Sequence, residues 1–128
     1  MNMTADIIVI GSGITGCAVV RELSRFHASV LVLDRESDLA EGATKANSGI
    51  VHAGSDAIPG TKKAFYNVRG ANMYESLAKE LGVPYRRCGA LVLAFDEEDK
   101  KTIADLKARG ETNGVTGLEI LDRETLLK

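Results

Sequence analysis

Cysteine is scarce in these 128 residues. Cys17 and Cys88 stand alone, without the paired spacing of a disulfide framework or a thiolate zinc site, and no metal site is expected. Beyond the four acids of residues 96–99, no block of single-sign charge occurs. Sixteen Lys and Arg stand against 18 Asp and Glu, and the halves are alike: residues 1–64 carry six basic and seven acidic groups, residues 65–128 ten and eleven. That excludes a basic half for nucleic acid and a polybasic tail for a membrane surface. No apolar run approaches the roughly 20 residues that a membrane-spanning helix needs, so no membrane span is expected. Nor does a basic segment followed by a long apolar stretch open the chain, so a reduced, cytoplasmic protein is expected rather than a secreted one. Repeats and low-complexity tracts are also missing. What is left is an ordinary globular composition, 45% hydrophobic and 27% charged, at a length suited to one domain.

The run Ala5–Ile10 is nearly continuous in β-branched residues and reads as a parallel strand buried on both faces. A glycine-rich turn of six residues follows, and then Cys17, Ala18, Val20, Leu23 and Ser24 recur at helical spacing to about Phe26 or His27. Val30–Leu33 is a second buried strand closed by Asp34. Strand, glycine turn, helix and strand make a βαβ unit. Residues 35–60 are broken by glycines and lack periodicity, as functional loops do. From Thr61 a helix places Ala64, Val68, Ala71, Tyr74, Ala78 and Leu81 on one face and stops at Gly82 and Pro84. Tyr85–Cys88, Ala90–Phe95 and Leu118–Leu121 read as short strands. Between them an acid-led helix starts after Asp96, turns Ile103 and Leu106 inward and ends near Gly110. Asp122 caps a last helical turn from Arg123.

Gly11-Ser12-Gly13-Ile14-Thr15-Gly16 is a dinucleotide fingerprint in its required context, between a strand and a helix. Its first glycine suits the tight turn, its second the approach of a pyrophosphate, its third close packing of helix on strand. The helix N-terminus offers free N–H groups and partial positive charge to phosphate. Asp34, 18 residues past Gly16, stands where a carboxylate accepts ribose hydroxyls and repels a 2′-phosphate. The bland alternative is a structural glycine turn. The fingerprint alone does not separate FAD from NAD.

The segment Glu41-Gly42-Ala43-Thr44-Lys45-Ala46-Asn47-Ser48-Gly49-Ile50-Val51-His52-Ala53-Gly54 resembles the flavin loop of the D-amino-acid-oxidase-like FAD-dependent oxidoreductases. Within that superfamily it is most similar to the glycerol-3-phosphate dehydrogenase and L-2-hydroxyglutarate dehydrogenase (oxidase) group. The likeness continues through Pro59-Gly60-Thr61, Asn67-Val68-Arg69-Gly70 and Gly89-Ala90-Leu91-Val92; the group often has Glu where this chain has Asp34. The resemblance implies an α/β fold. It consists of a Rossmann-like βαβ FAD-binding core of parallel strands and the beginning of a second, substrate-side sheet, in an incomplete domain. Residues 1–84 would be the N-terminal part of the FAD-binding domain, with the flavin loop at 41–54 and a helix over about 61–82; residues 85–128 would begin the substrate or cap region. FAD is the implied cofactor, held by Gly11, Ser12, Gly13, Ile14, Thr15, Gly16, Asp34, Arg35, Gly42, Ala43, Thr44, Asn47, Ser48, Gly49 and Ile50.

The implied activity is oxidation of a small-molecule hydroxy substrate, glycerol 3-phosphate or a 2-hydroxy acid. Hydride would pass to flavin and electrons to a separate acceptor: a quinone, oxygen or a redox protein. The full-length protein would then be cytoplasmic or peripheral at the membrane. An NAD-linked oxidoreductase and a non-catalytic nucleotide-binding module are the competing readings. The group's enzymes run to several hundred residues, so the chain reads as an N-terminal piece, expected alone to hold FAD weakly and to aggregate.

His52 is the one group of this loop able to titrate near neutral pH. By resemblance it lies near the flavin, to orient ring or substrate or to take a hydroxyl proton; a backbone-bonded histidine is the plainer role. His27 suits a helix C-terminus. Cys17 and Cys88 read as small packing residues, Phe65 and Tyr74 as core, and Lys45, Lys62 and Lys63 as solvated surface. Arg69 reads as a partner for a carboxylate.

Overall fold

The opening apolar run folds as β1 (Ile7–Ile10), and β2 (Val30–Leu33) lies parallel to it, with Ile7 opposite Val30 and Ile10 opposite Leu33. The structure is a computed structural model and describes residues 4–127. Parallel neighbours need a crossover rather than a tight turn. Here it is α1 (Ile14–Leu23), which packs on β1. Asp6 fastens the amino end of the sheet: its Oδ2 accepts from the backbone N–H and the hydroxyl of Ser29 at 2.8 and 2.7 Å.

Two expectations for this unit change. β1 is not covered on both faces; it alternates half-buried and exposed, with Ile10 85% accessible, because α1 lies on one side of the sheet only. α1 also stops at Leu23, short of Phe26. The Ser24 hydroxyl donates to the Arg21 carbonyl at 2.7 Å, and the next two N–H groups turn back three residues, to Glu22 and Leu23. A serine that competes for backbone carbonyls favours such an ending.

The chain divides into two compact units, Met1–Ile50 and Val51–Lys128. In the second, α2 (Lys62–Leu81) starts where the Thr61 hydroxyl accepts from the Ala64 N–H at 3.2 Å and ends at Gly82, whose φ of +65° is the left-handed stop. Ala64 and Ala78 are buried and Val68, Ala71 and Tyr74 half-buried on the expected face, while Leu81 is exposed. Phe65 is not core: it is exposed, edge-on to Tyr66, whereas Tyr74 packs against Tyr85. α3 (Glu97–Thr112) begins where the Asp96 carboxylate accepts from the N–H groups of Glu98 and Asp99, and it runs past Gly110. Gly110 is buried because Leu118 and Ser55 pack where its side chain would be. α4 (Arg123–Leu126) is capped by Asp122.

The strands expected at 85–88, 90–95 and 118–121 are not formed, and the second sheet with them; among the described residues the only sheet is β1–β2. A strand exists by pairing, and no neighbouring strand meets these segments. Leu91, Val92, Leu93, Phe95 and Ile120 stand exposed as a result. Among the described residues no helix is long and apolar enough to cross a membrane.

Candidate functional site

The glycine turn follows β1 directly. Gly11 has φ +97°, a conformation that L side chains avoid, and its N–H returns to the Leu33 carbonyl at 2.8 Å. The chain thereby reverses above the two strand ends and enters α1. Gly16 allows that entry: a Cβ there would lie 1.9 Å from the Gly11 carbonyl oxygen. Gly13 is the N-cap residue and supplies no side-chain cap, and the first turn of α1 has no acidic residue. The result is a helix N-terminus with no cap from its own N-cap residue and no acid in its first turn, which favours an anion.

The loop after β2 folds back onto this turn. The Ala40 N–H donates to the Ser12 carbonyl at 3.2 Å, and the Ile14 N–H donates to the Thr44 hydroxyl at 3.0 Å. Thr44 therefore stands over Gly13, where a Cβ would be 3.2 Å from its Oγ1. Asp34 closes the far side. Its Oδ2 accepts from both the N–H and the hydroxyl of Ser12, each at 2.6 Å, and its Oδ1 accepts from the Glu36 N–H at 3.0 Å. These donors, the Ser12 hydroxyl first, hold the Asp34 carboxyl well below the usual carboxylate range. A hollow of about 270 Å³ lies here, lined by Ser12, Val32, Asp34, Glu36, Ser37, Asp38 and Leu39.

Asp6 is lowered in the same way by Ser29. Both carboxylates therefore stabilise the fold fully above the ordinary value of 3.8, and that contribution falls away as pH drops towards the folded-state values. Melting temperature is expected to hold steady from pH 7 to about pH 5 and to fall below about pH 4. In Asp6→Asn/Asp34→Asn protein the acid-side fall should shrink; an unchanged profile would contradict these bonds.

Of the residues singled out from the sequence, Gly11–Gly16, Asp34 and Thr44 converge within the first unit. Gly42 and Ala43 lie in the loop that carries Thr44. The Asn47 side chain accepts from the Gly49 N–H at 2.6 Å, shaping the turn through Ser48 towards Ile50. Arg35 is turned to solvent, and its Nε donates to Glu36 at 2.7 Å. Cys17 is exposed rather than packed, its thiol donating to the Ser12 carbonyl at 3.2 Å; Cys88 is exposed as well. Among the described residues no three His, Cys, Asp or Glu gather as metal ligands do.

His52 belongs to the second unit and is exposed. The loop just after it is firmly held. The Asn113 amide donates to the carbonyls of Gly54 and Ala57 at 2.9 and 2.7 Å, and Arg109 donates to the Asp56 carbonyl at 3.0 Å. Asn67 Oδ1 is buried beside Gly54 without a partner among the described residues. Sequence reasoning missed Asn113 and Arg109, because a side chain that binds loop carbonyls some 50 positions away leaves no local pattern.

Residues 6–128 match the DAO family, FAD dependent oxidoreductase. The chain is 46% identical over 123 residues to a glycerol 3-phosphate dehydrogenase of Caloramator mitchellensis, a match covering 96% of this chain and 26% of that protein. It is 36% identical over 125 residues to the human mitochondrial L-2-hydroxyglutarate dehydrogenase, covering 96% and 27%. Among solved structures, the dithionite-reduced L-α-glycerophosphate oxidase of Mycoplasma pneumoniae with FAD bound superposes with a TM-score of 0.84 at 29% identity, over 98% of this chain and 34% of that one. The chain thus spans about a quarter to a third of the length of the relatives it matches.

Proposed function

We propose, from the premise that this chain belongs to the DAO family of FAD-dependent oxidoreductases, that it holds FAD for oxidation of a small secondary alcohol of the glycerol-3-phosphate or 2-hydroxy-acid type. The observation that carries this reading is the α1 N-terminus, glycine at its N-cap and free of acid in its first turn, beside the Gly11 turn, with the Asp34 carboxylate hydrogen-bonded to the same turn. An anion at the helix and a hydroxyl-bearing sugar at the carboxylate are what a dinucleotide presents. In this reading the turn at 11–16 holds the pyrophosphate through the N–H groups that its own bonds leave over, those of Gly13, Thr15 and Gly16, Asp34 holds the ribose, and residues 42–50 the flavin side. Residues 1–84 then belong to the FAD-binding domain, and residues 85–128 begin the substrate-side region.

When bound, FAD would supply the redox chemistry, as acceptor for the hydride equivalent of the carbon that bears the hydroxyl. His52, just before the Gly54–Ala57 loop that Asn113 and Arg109 hold, would take the hydroxyl proton at a ring nitrogen. The electron acceptor would be a quinone, oxygen or a redox protein, in the cytoplasm or at a membrane surface. The supporting similarity is to proteins named for glycerol 3-phosphate and L-2-hydroxyglutarate.

The reading is tested by mixing the FAD-loaded protein, expressed from its complete coding sequence, without oxygen with glycerol 3-phosphate or L-2-hydroxyglutarate. One of the two is expected to bleach the flavin; a yellow protein that neither bleaches contradicts the assignment. His52→Ala is expected to keep its FAD and to be reduced roughly 100-fold more slowly, the range of a lost general base. An unchanged rate of reduction makes His52 scaffold.

A further inference from the structure

The two-stranded sheet is fastened at both ends by the same device. At the amino end Ser29 gives its N–H and its hydroxyl to Oδ2 of Asp6. At the carboxyl end Ser12 gives the same two donors to Oδ2 of Asp34, at 2.6 Å each. The settings differ. Ser29 is exposed, whereas Ser12 is 2% accessible and carries the most buried side chain described. Ser12 also sits inside the glycine turn, while the Asp6–Ser29 pair lies at the opposite end of the strands.

A carboxylate oxygen offers two acceptor positions. Ser12 fills both on Oδ2, and Glu36 takes one on Oδ1. The carboxylate therefore cannot rotate without breaking bonds to a buried donor. A ligand hydroxyl that arrives at Asp34 meets a group already fixed, and fixing a binding group in advance lowers the cost of binding.

We propose that Ser12 is a positioning residue for nucleotide recognition: its N–H and hydroxyl clamp Asp34 against the glycine turn, so that the carboxylate is oriented for a ribose hydroxyl before the ligand arrives. The inference rests on the reading of this cradle as an FAD site and gives Ser12 a role exercised through Asp34 rather than on the cofactor. The clamp also keeps Asp34 ionised to lower pH. The other charged groups around it are Glu36 and Asp38 in the hollow, Arg35 paired with Glu36, and Arg21 on α1. Comparing Ser12→Ala with the parent isolates Asp34 from these, since all are common to both.

The test is a double-mutant cycle on protein expressed from its complete coding sequence, titrated with FAD at pH 7. Ser12→Ala is expected to weaken FAD roughly tenfold; Ser12→Thr, which keeps the hydroxyl, should restore the affinity. In an Asp34→Ala background, Ser12→Ala should cost almost nothing more. Ser29→Ala should lower the melting temperature and leave FAD affinity unchanged. In the ligand-free protein, carboxyl-carbon NMR should show Asp34 titrating at higher pH in Ser12→Ala. Two results overturn the inference while FAD binding stands: equal losses from Ser12→Ala with and without Asp34, or an unmoved Asp34 titration. A parent protein that binds no FAD overturns the cofactor reading and the inference together.

Discussion

Gly13→Val is expected to leave the protein folded and empty of flavin. Gly13 has φ −71° and ψ −179°, ordinary extended backbone that valine adopts readily. Its Cβ would meet only the Thr44 hydroxyl, at 3.2 Å, on an exposed loop that needs to give by a few tenths of an ångström. The fold therefore tolerates the change. The two methyl groups would instead fill the space at the start of α1, where the phosphates must come close to backbone N–H groups. An overlap with the pyrophosphate is not relieved by a small shift, so FAD affinity should fall on the order of a hundredfold or more. Flavin released per mole of protein, read beside the circular dichroism spectrum, checks both halves. Full flavin content in the variant would remove the phosphate from this turn.

Gly16→Ala is expected to fail in the opposite way, through the fold. The added Cβ would lie 1.9 Å from the Gly11 carbonyl oxygen, 3.0 Å from its carbon and 3.6 Å from the Val9 side chain. The first contact is backbone against backbone, and no side-chain rotation opens it. α1 must lift from β1, and with it go the turn and the crossover that keep the strands parallel. Overpacking of this kind costs about 3 kcal/mol or more. For a unit of this size that lowers the melting temperature by roughly 10 °C or more. A thermal melt decides, and an unchanged midpoint would mean that α1 does not rest on β1 at this residue.

These two glycines show which parts of the molecule are legible in the sequence. The fingerprint, β2, and the start and stop of α2 are encoded by neighbours along the chain: Thr61 caps three residues on, and Gly82 ends the helix where it stands. The elements that failed to appear depend on partners far away. Leu91–Leu93 have strand composition, but composition does not provide a pairing strand. The exposed face of β1 depends on how many layers cover the sheet, which no local run of Ile and Val records. Within the site, Asp34 is legible as an acceptor for ribose from its place after β2. Its bonds to Ser12, and the hydroxyl of Thr44 above Ile14, come from loop closure across 22 and 30 positions.

The central claim is that this glycine turn and Asp34 hold FAD. It is tested most directly by purifying the protein from cells as expressed from its complete coding sequence, denaturing it and identifying the nucleotide released. The account predicts a yellow protein that releases FAD in near-stoichiometric amount. A colourless protein that releases NAD, or one that releases no nucleotide and binds none when FAD is added, would contradict it.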